Sequence, residues 1–214
     1  MLTTKCLYAN AIISNNEKAL EDIHLSTINI AIYERDITAL SEELSQMMEQ
    51  PVECKAIGTK AEVLSSLNDY FAAHFSNCTN LLADITRLVQ LFENTTKPNS
   101  LRILLTTVST NMCRKFHTDI NDLRMLCTYV GPGTLWLPDE LVDYKALQRR
   151  GDDQAVIKDP QQIQQVRTGD VVFLKGALYP EANPILHRSP SIEKKGEQRL
   201  LLRIDSDEFL NFWT

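Results

Sequence analysis

Apolar residues recur along the chain with two different periods, and the change between them falls near residues 94–99. Before that point, segment 81–92 spaces its apolar residues as one face of a helix does. Helices are also predicted over 38–48 and 61–75, and a short strand over 28–33. The apolar stripe of segment 81–92 consists of Leu82, Ile85, Leu88, Val89 and Phe92.

After residue 99 the pattern changes to short β-type runs separated by turn residues such as Gly131-Pro-Gly. The best strands are rich in aliphatic and β-branched residues, which favours a barrel or sandwich. We therefore expect an α+β fold in which a mixed, mainly helical segment, 1–98, packs on a β core, 99–214, within one integrated domain. The predicted strands of the core are 101–110, 123–130, 170–174 and 199–204.

Composition and charge narrow the functional classes. The 214 residues include 43% apolar residues, enough to bury a full core. A net charge of -6 gives no general attraction for nucleic acid or an anionic membrane surface. No apolar run approaches the ~18 residues of a membrane span, and the N-terminus lacks the features of a secretory signal. The 5 scattered cysteines do not resemble a disulfide framework, so we expect a reducing cytoplasm.

Candidate chemistry begins with His117-Thr-Asp119. On an extended segment these two side chains point to the same face, which suits metal chelation. The chain has 4 histidines, and two of them, His24 and His74, lie in the helical first part. The remaining one, His187, follows a predicted strand and is the natural third ligand. We therefore predict that His117, Asp119 and His187 form a metal site that is also the catalytic site.

Two histidines and one carboxylate on one face of a metal form the facial triad of non-heme Fe(II) oxygenases, which leaves positions open for oxygen and a cosubstrate. Arg199 lies twelve residues after His187 in a predicted strand, and Arg203 shares its face. A guanidinium there can hold the far carboxylate of a dicarboxylic cosubstrate through two parallel hydrogen bonds. Either arginine is equally well explained as a salt bridge at the end of a strand.

Two residues of the strand after the metal motif, Arg124 and Tyr129, are also predicted to face the barrel mouth and bind the cosubstrate. Plain packing is the alternative for Tyr129. Cys113, four residues before His117, provides a different alternative, because a thiolate ligand would favour zinc over iron.

Three blocks carry a family resemblance: CRKFHTDINDLRMLCTYVGPGTLWLPD, GDVVFLKG and HRSPSIEKKGEQRLLLRID. In order and spacing they resemble the bacterial family known as domain of unknown function 1826, over about residues 101–205. Members of that family resemble proteins encoded near zinc-responsive metallochaperone GTPases, which implies a connection with metal limitation.

The same blocks resemble, more distantly, the phytanoyl-type 2-oxoglutarate oxygenases, which are double-stranded β-helices of the cupin or jelly-roll kind. That resemblance implies that His117, Asp119 and His187 are iron ligands and that Arg199 binds 2-oxoglutarate. Segment 135–165 departs from it, because it aligns with no substrate-binding insert of those enzymes.

The expected function is therefore that of an Fe(II)- and 2-oxoglutarate-dependent dioxygenase of the hydroxylase type, acting on a small molecule or a protein side chain. One alternative is a non-catalytic metal-binding protein of zinc homeostasis. Another is a cupin-like isomerase or hydrolase that uses the metal without 2-oxoglutarate. Exposed barrel edges would also allow a homodimer.

Overall fold

The strands predicted after residue 99 join strands from the first part of the chain in one large sheet. The computed structural model describes residues 4–5, 8–149, 151–180 and 183–206. Within these residues the chain has a mixed α+β architecture, with an 8-stranded sheet and a 3-stranded sheet. The two sheets are called the large and the small sheet below.

The large sheet has the order β1-β2-β3-β9-β6-β11-β5-β4, and all its neighbours are antiparallel except the pair β2 and β3. The small sheet has the order β10-β7-β8. In chain order the strands are β1 (Thr4–Lys5), β2 (Ala11–Ser14), β3 (Ile30–Tyr33), β4 (Glu53–Gly58), β5 (Leu101–Val108), β6 (Leu123–Val130), β7 (Leu135–Trp136), β8 (Gln164–Gln165), β9 (Val171–Lys175), β10 (His187–Arg188) and β11 (Arg199–Ser206).

Helices are concentrated before β5. The α-helices are α1 (Ser41–Met47), α2 (Lys60–His74), α3 (Thr79–Thr96), α4 (Tyr144–Gln148) and α5 (Asp153–Val156). Short 3-10 helices cover Glu17–His24, Thr38–Leu40, Asp139–Leu141, Pro160–Gln162 and Glu193–Lys195. Among the described residues, no helix combines the length and apolarity needed to cross a bilayer.

The three helices predicted from apolar spacing are confirmed, and local sequence explains where they begin and end. Helix α2 begins at a capping box in which Thr59 and Glu62 satisfy each other's backbone N–H groups. Helix α3 ends at Lys97, whose φ of 48° is left-handed and which precedes Pro98. Segment 38–48 is divided, because a 3-10 turn precedes α1.

The first 98 residues also contain strands, which the expectation of a mainly helical segment did not include beyond β3. Strands β1, β2 and β3 form one end of the large sheet, and β4 forms the other. Exposed and buried residues alternate along β4 from Glu53 to Ala56, the period of a half-buried strand. This short alternation was the available signal for β4 in the sequence. The chain on both sides of residue 98 therefore contributes strands to one sheet.

The large sheet has apolar side chains on both faces. One face is covered by α2 and α3, where Phe92 of α3 stacks on Phe173 of β9 with ring centroids 5.6 Å apart. The opposite face packs against Trp136 of the small sheet through residues such as Val172 and Leu201. Because side chains alternate along a strand, the position of each residue decides whether it faces the helices or the small sheet.

Candidate metal centre

The backbones of His117 and His187 pair directly. The N–H of His117 donates to the carbonyl of His187, the N–H of His187 donates to the carbonyl of His117, and both distances are 3.0 Å. His117 thereby extends the small sheet beyond β10 as an isolated antiparallel bridge. Directly opposed residues of an antiparallel pair place their side chains on the same face. The two imidazole rings accordingly lie 4.7 Å apart between centroids.

Asp119 brings its carboxylate between the two imidazoles. Its Oδ1 lies 3.6 Å from Nε2 of His117, and its Oδ2 lies 3.2 Å from Nε2 of His187. The ligand atoms of the three side chains all lie within 4.8 Å of one another. Two imidazole nitrogens and one carboxylate oxygen are a suitable donor set for a transition metal.

The other ring nitrogen of each histidine meets a backbone carbonyl. Nδ1 of His117 lies 3.1 Å from the carbonyl oxygen of Lys115, and Nδ1 of His187 lies 3.2 Å from that of Ile185. Donation from Nδ1 to a carbonyl leaves the Nε2 lone pair free, which is the form of histidine that binds a metal. Each imidazole is therefore oriented for metal binding by the carbonyl two residues before it in the chain.

The charge of Asp119 is strongly favoured. Burial alone would raise the pKa of its carboxyl, but His117, His187 and the Arg124 guanidinium hold it well below its usual range. Arg124 forms an ion pair with Asp119 and donates from Nε to Asp205 at 2.6 Å. The structure thus places Arg124 at the site as a residue that positions the carboxylate of Asp119.

A cavity of about 70 Å³ opens beside the two histidines. No carboxylate is among the described residues that line it, whereas four guanidinium groups are. Its lining consists of Met112, Cys113, His117, Arg124, Leu126, Thr134, His187, Arg188, Ser189, Arg199, Leu201 and Arg203.

Arg199 is the most deeply buried of the four arginines, with 1% of its surface exposed. It donates from Nη2 to the hydroxyl oxygen of Thr128 at 3.0 Å, but its buried Nε has no hydrogen-bond partner. Within the described residues no carboxylate forms an ion pair with it. Burial lowers the pKa of Arg199 to about 10, so the group remains a cation at neutral pH.

Gly131 allows the strand that carries Arg199 to approach β6 closely. Its φ of +80° is left-handed, and a Cβ built there would lie 2.2 Å from the carbonyl oxygen of Gln198. The register between β6 and β11 shifts at the same point, between Leu200 and Leu201. A side chain at position 131 would therefore displace the start of β11 and with it Arg199.

Tyr129 is not brought to this cavity. Its hydroxyl donates to Asp84 of α3 at 2.7 Å, and its ring is buried in the helix-covered core. Arg124 and Tyr129 are five positions apart on β6, and an odd separation places two residues on opposite faces of a strand. The prediction that both residues face the barrel mouth is therefore wrong for Tyr129. Arg124 alone of the two lines the cavity.

Cys113 lines the cavity, but it is not part of the three-residue group of ligand atoms found among the described residues. Burial and the nearby Asp119 carboxylate raise the pKa of its thiol. The geometry therefore gives the zinc alternative no thiolate ligand beside the three side chains.

Sequence reasoning missed two residues that shape the site, Asp205 and Thr128. Asp205 accepts a hydrogen bond from Arg124, and Thr128 accepts one from Arg199. Asp205 is separated from Arg199 by an even number of positions on β11, and Thr128 is similarly related to Arg124 on β6. The period of two was thus a sufficient signal for both.

Comparison with solved structures finds similar chains of low identity. A full-length Neurospora crassa protein, solved in complex with alpha-KG, is 13% identical, with 89% of this chain and 78% of that chain covered and a TM-score of 0.43. A Pseudomonas putida prolyl-4-hydroxylase is 10% identical, with 88% and 96% covered and a TM-score of 0.43.

A mutant of Bacillus subtilis oxalate decarboxylase is 16% identical, with a TM-score of 0.29. The match covers 50% of this chain and only 22% of the decarboxylase chain. All three TM-scores are below 0.5, so the function of this chain has to be inferred from its own geometry.

A search of curated proteins finds no match. A family model does match, over residues 14–205, and its description is protein of unknown function, DUF1826. The match begins well before residue 101, where the sequence resemblance was expected to start, and so includes the helices and the strands β3 and β4. This chain belongs to the DUF1826 family.

Proposed function

We propose that this protein is a non-heme Fe(II)- and 2-oxoglutarate-dependent dioxygenase of the hydroxylase type. The observation that carries the proposal is the position of Arg199, a buried cation without a carboxylate partner among the described residues, in the cavity that also contains His117 and His187. A metal-binding protein without a cosubstrate has no need of that cation. A dicarboxylic cosubstrate bound to the metal supplies the missing anion.

We further propose that the β core is a double-stranded β-helix, the cupin or jelly-roll type of barrel. The order of its strands supports this assignment, because the chain passes repeatedly from one sheet to the other. Strand β5 belongs to the large sheet, His117 extends the small one, and β6 returns to the large sheet. Strands β7 and β8 then lie in the small sheet, β9 in the large, β10 in the small and β11 in the large.

In this proposal His117, Asp119 and His187 hold Fe(II). The donor set fits, because both Nε2 atoms face the carboxylate and both Nδ1 atoms are turned to carbonyls. When bound together, Fe(II) and 2-oxoglutarate would supply the chemistry that converts 2-oxoglutarate, O2 and a C–H bond into succinate, CO2 and a hydroxylated product.

The residues of this chain have the task of binding and orientation. Arg199 would hold the far carboxylate of 2-oxoglutarate, a task for which its planar guanidinium is suited. Thr128 holds that guanidinium in place. Arg124 keeps the carboxylate of Asp119 from rotating away from the histidines, and the apolar side chains of Leu126 and Leu201 exclude water.

The experiment is an anaerobic titration of metal-free protein with Fe(II) and then with 2-oxoglutarate, followed by visible absorption. We expect a weak charge-transfer band that is absent in His187→Ala and reduced in Arg199→Gln. Arg114→Gln is the matched control, because Arg114 is an arginine with a side chain 76% exposed. This control should give the wild-type band.

Other outcomes would favour the alternatives. Tight binding of zinc that weakens in Cys113→Ser, with no band, would contradict the oxygenase and favour a role in zinc homeostasis. Metal binding together with activity that is unaffected in Arg199→Gln would instead indicate an isomerase or hydrolase of the cupin kind.

A further inference from the structure

The cavity wall next to Asp119 contains two guanidinium groups and two carboxylates, but the ion pairs between them are unevenly distributed. Two arginines, Arg124 and Arg203, share the single carboxylate of Asp205, at 2.6 Å from Nε of Arg124 and 3.1 Å from Nε of Arg203. Arg124 has Asp119 as a second partner. Among the described residues, the one ion pair of Arg203 is with Asp205, and the charge of Asp119 stabilises it to a smaller extent.

The contact between Arg203 and Asp205 is incomplete. Although the two groups are within ion-pair distance, the buried Nε of Arg203 has no hydrogen-bond partner of acceptable geometry. The side chain of Arg203 is 27% exposed and lines the cavity, whereas that of Asp205 is 1% exposed. A partly exposed guanidinium that lines a cavity and has a single ion-pair partner is suited to binding an oxyanion.

Arg188, which also lines the cavity, does not share this property. Its guanidinium donates to the carbonyl of Arg114 at 3.2 Å, lies 3.6 Å from Asp153 and packs over the Phe116 ring at 4.9 Å. The ring and the carboxylate already provide Arg188 with electrostatic partners. Of these three arginines, Arg203 therefore has the fewest partners.

Occupation of the metal site would give this wall a net positive charge. If Asp119 is a metal ligand, as proposed above, its negative charge is shared with the cation and less of it remains for Arg124. Asp205 then faces two guanidinium groups alone. One positive charge is left over on this wall, separate from that of Arg199.

Arg199 and Arg203 extend from well-separated positions on β11. Arg199 and Arg203 are four residues apart on one face of β11, which separates their Cα atoms by about 13 Å at ~3.3 Å per residue. Leu201 lies between them on the same face and, with Leu126, forms an apolar section of the cavity wall. The cavity thus offers two cationic ends that are separated by an apolar middle.

We propose that the substrate of this oxygenase carries a carboxylate that binds to Arg203, beside the metal site, while 2-oxoglutarate occupies Arg199. The inference rests on the proposed function. A single excess charge favours a monoanionic carboxylate over a phosphate dianion. The apolar residues of the lining favour a short aliphatic body next to that carboxylate. They are Leu126, Leu201 and Met112, of which Met112 is 46% exposed.

The test measures binding instead of turnover, with propionate as the probe and propionamide as its neutral counterpart of similar shape. Each is titrated into anaerobic protein loaded with Fe(II) and 2-oxoglutarate, and binding is followed by calorimetry and by ligand NMR. We expect propionate to bind at least about tenfold more tightly than propionamide. We expect Arg203→Gln to abolish that difference, Arg203→Lys to retain part of it and Arg114→Gln to retain all of it.

The same variants separate the failure of this inference from the failure of the proposed function. If 2-oxoglutarate binding is lost in Arg199→Gln and retained in Arg203→Gln, the two anion sites are distinct as proposed. If Arg203→Gln is the variant that loses 2-oxoglutarate, Arg203 is the cosubstrate residue and the inference is overturned. Equal binding of propionate to wild type and Arg203→Gln, or propionate binding no tighter than that of propionamide, also overturns it.

A wild-type protein that binds no 2-oxoglutarate would disprove the proposed function by itself. Propionate binding that still depends on Arg203, measured then with the metal alone, would leave the carboxylate site in place for a different reaction. The circular dichroism spectrum of Arg203→Gln and its retained Fe(II) binding verify that this variant folds.

Discussion

Two buried arginines on opposite faces of the large sheet, Arg35 and Arg199, differ in their partners. On the helix-covered face, Arg35 makes two hydrogen bonds to the carboxylate of Asp84, at 2.6 and 2.9 Å, and a third to the carbonyl of Gly169. Tyr129 donates to the same Asp84 carboxylate. On the cavity face, Arg199 is buried as deeply but has only the hydroxyl of Thr128.

This difference distinguishes a structural ion pair from a binding site. A buried charge with a complete set of partners holds the fold in one arrangement, and removing one partner leaves the other unpaired. A buried charge without a counter-ion is unfavourable for the free protein and becomes favourable when an anion binds. The comparison therefore predicts opposite effects on stability for substitutions on the two faces.

The largest effect is expected for Asp84→Asn on the helix-covered face. Arg35 has only 5% of its side chain exposed, so the substitution leaves a buried cation without its carboxylate. We expect the free energy of unfolding to fall by about 3–5 kcal/mol. Urea denaturation followed by circular dichroism measures this change, and an unchanged midpoint would contradict the structural role of the pair.

Tyr129→Phe is the matched control for that face, because it removes one hydrogen bond to Asp84 and leaves both charges in place. Its expected cost is about 1 kcal/mol. Binding of 2-oxoglutarate should be unchanged in this variant, whereas a substitution in the cavity would weaken it.

The second prediction concerns the pH dependence of the same pair. Burial alone would raise the pKa of Asp84, but the hydrogen bonds and charge of Arg35 hold it below its usual value. A carboxyl with a lowered pKa in the folded state stabilises the protein above its unfolded pKa of about 3.9, and that contribution is lost as the pH falls through the folded pKa. The stability difference between wild type and Asp84→Asn should therefore be constant near neutral pH and shrink below about pH 4.

Unfolding free energies measured in urea at several pH values, for both proteins, provide the test. A difference that stays constant down to the acid limit of the folded state would mean that Asp84 does not titrate in the expected range.

The smallest expected effect on stability, and the one of opposite sign, belongs to Arg199→Met. Methionine retains an apolar chain of similar length and removes a buried charge that lacks a counter-ion. We expect the free energy of unfolding to stay the same or to rise by about 1 kcal/mol, while 2-oxoglutarate binding is lost. A fall of more than about 2 kcal/mol in the free energy of unfolding would show that Arg199 stabilises the fold. A calorimetric titration of the variant with 2-oxoglutarate measures whether the cosubstrate still binds.

Elements with a long, regular period were predictable from the sequence. The apolar stripe of α3 and the aliphatic runs of β5, β6, β9 and β11 specify their own structure, because one face of each must be buried. Strands β1, β2, β4, β7, β8 and β10 were not predicted. Short strands depend on the neighbours to which they hydrogen-bond, and the identity of those neighbours is absent from local sequence.

The candidate metal centre was likewise predictable from the sequence only in part. The even spacing of His117 and Asp119 and the scarcity of histidine identified three side chains that the structure brings together. The prediction that Tyr129 faces the barrel mouth was wrong, because its odd separation from Arg124 places it on the opposite face of β6. The sharing of Asp205 between Arg124 and Arg203 depends on the pairing of β6 with β11, which no spacing rule specifies.

The reciprocal hydrogen bonds between His117 and His187 also have a consequence for biosynthesis. The two residues are seventy positions apart, so a nascent chain exposes His117 and Asp119 long before His187 has been made. Under the proposed function, a chain that ends between them would have only two of the three ligands and would bind a metal more weakly than the full site. A metal ion held by all three side chains would close a loop of that length, so it would bind tightly only to copies in which His187 has been made and has paired with His117.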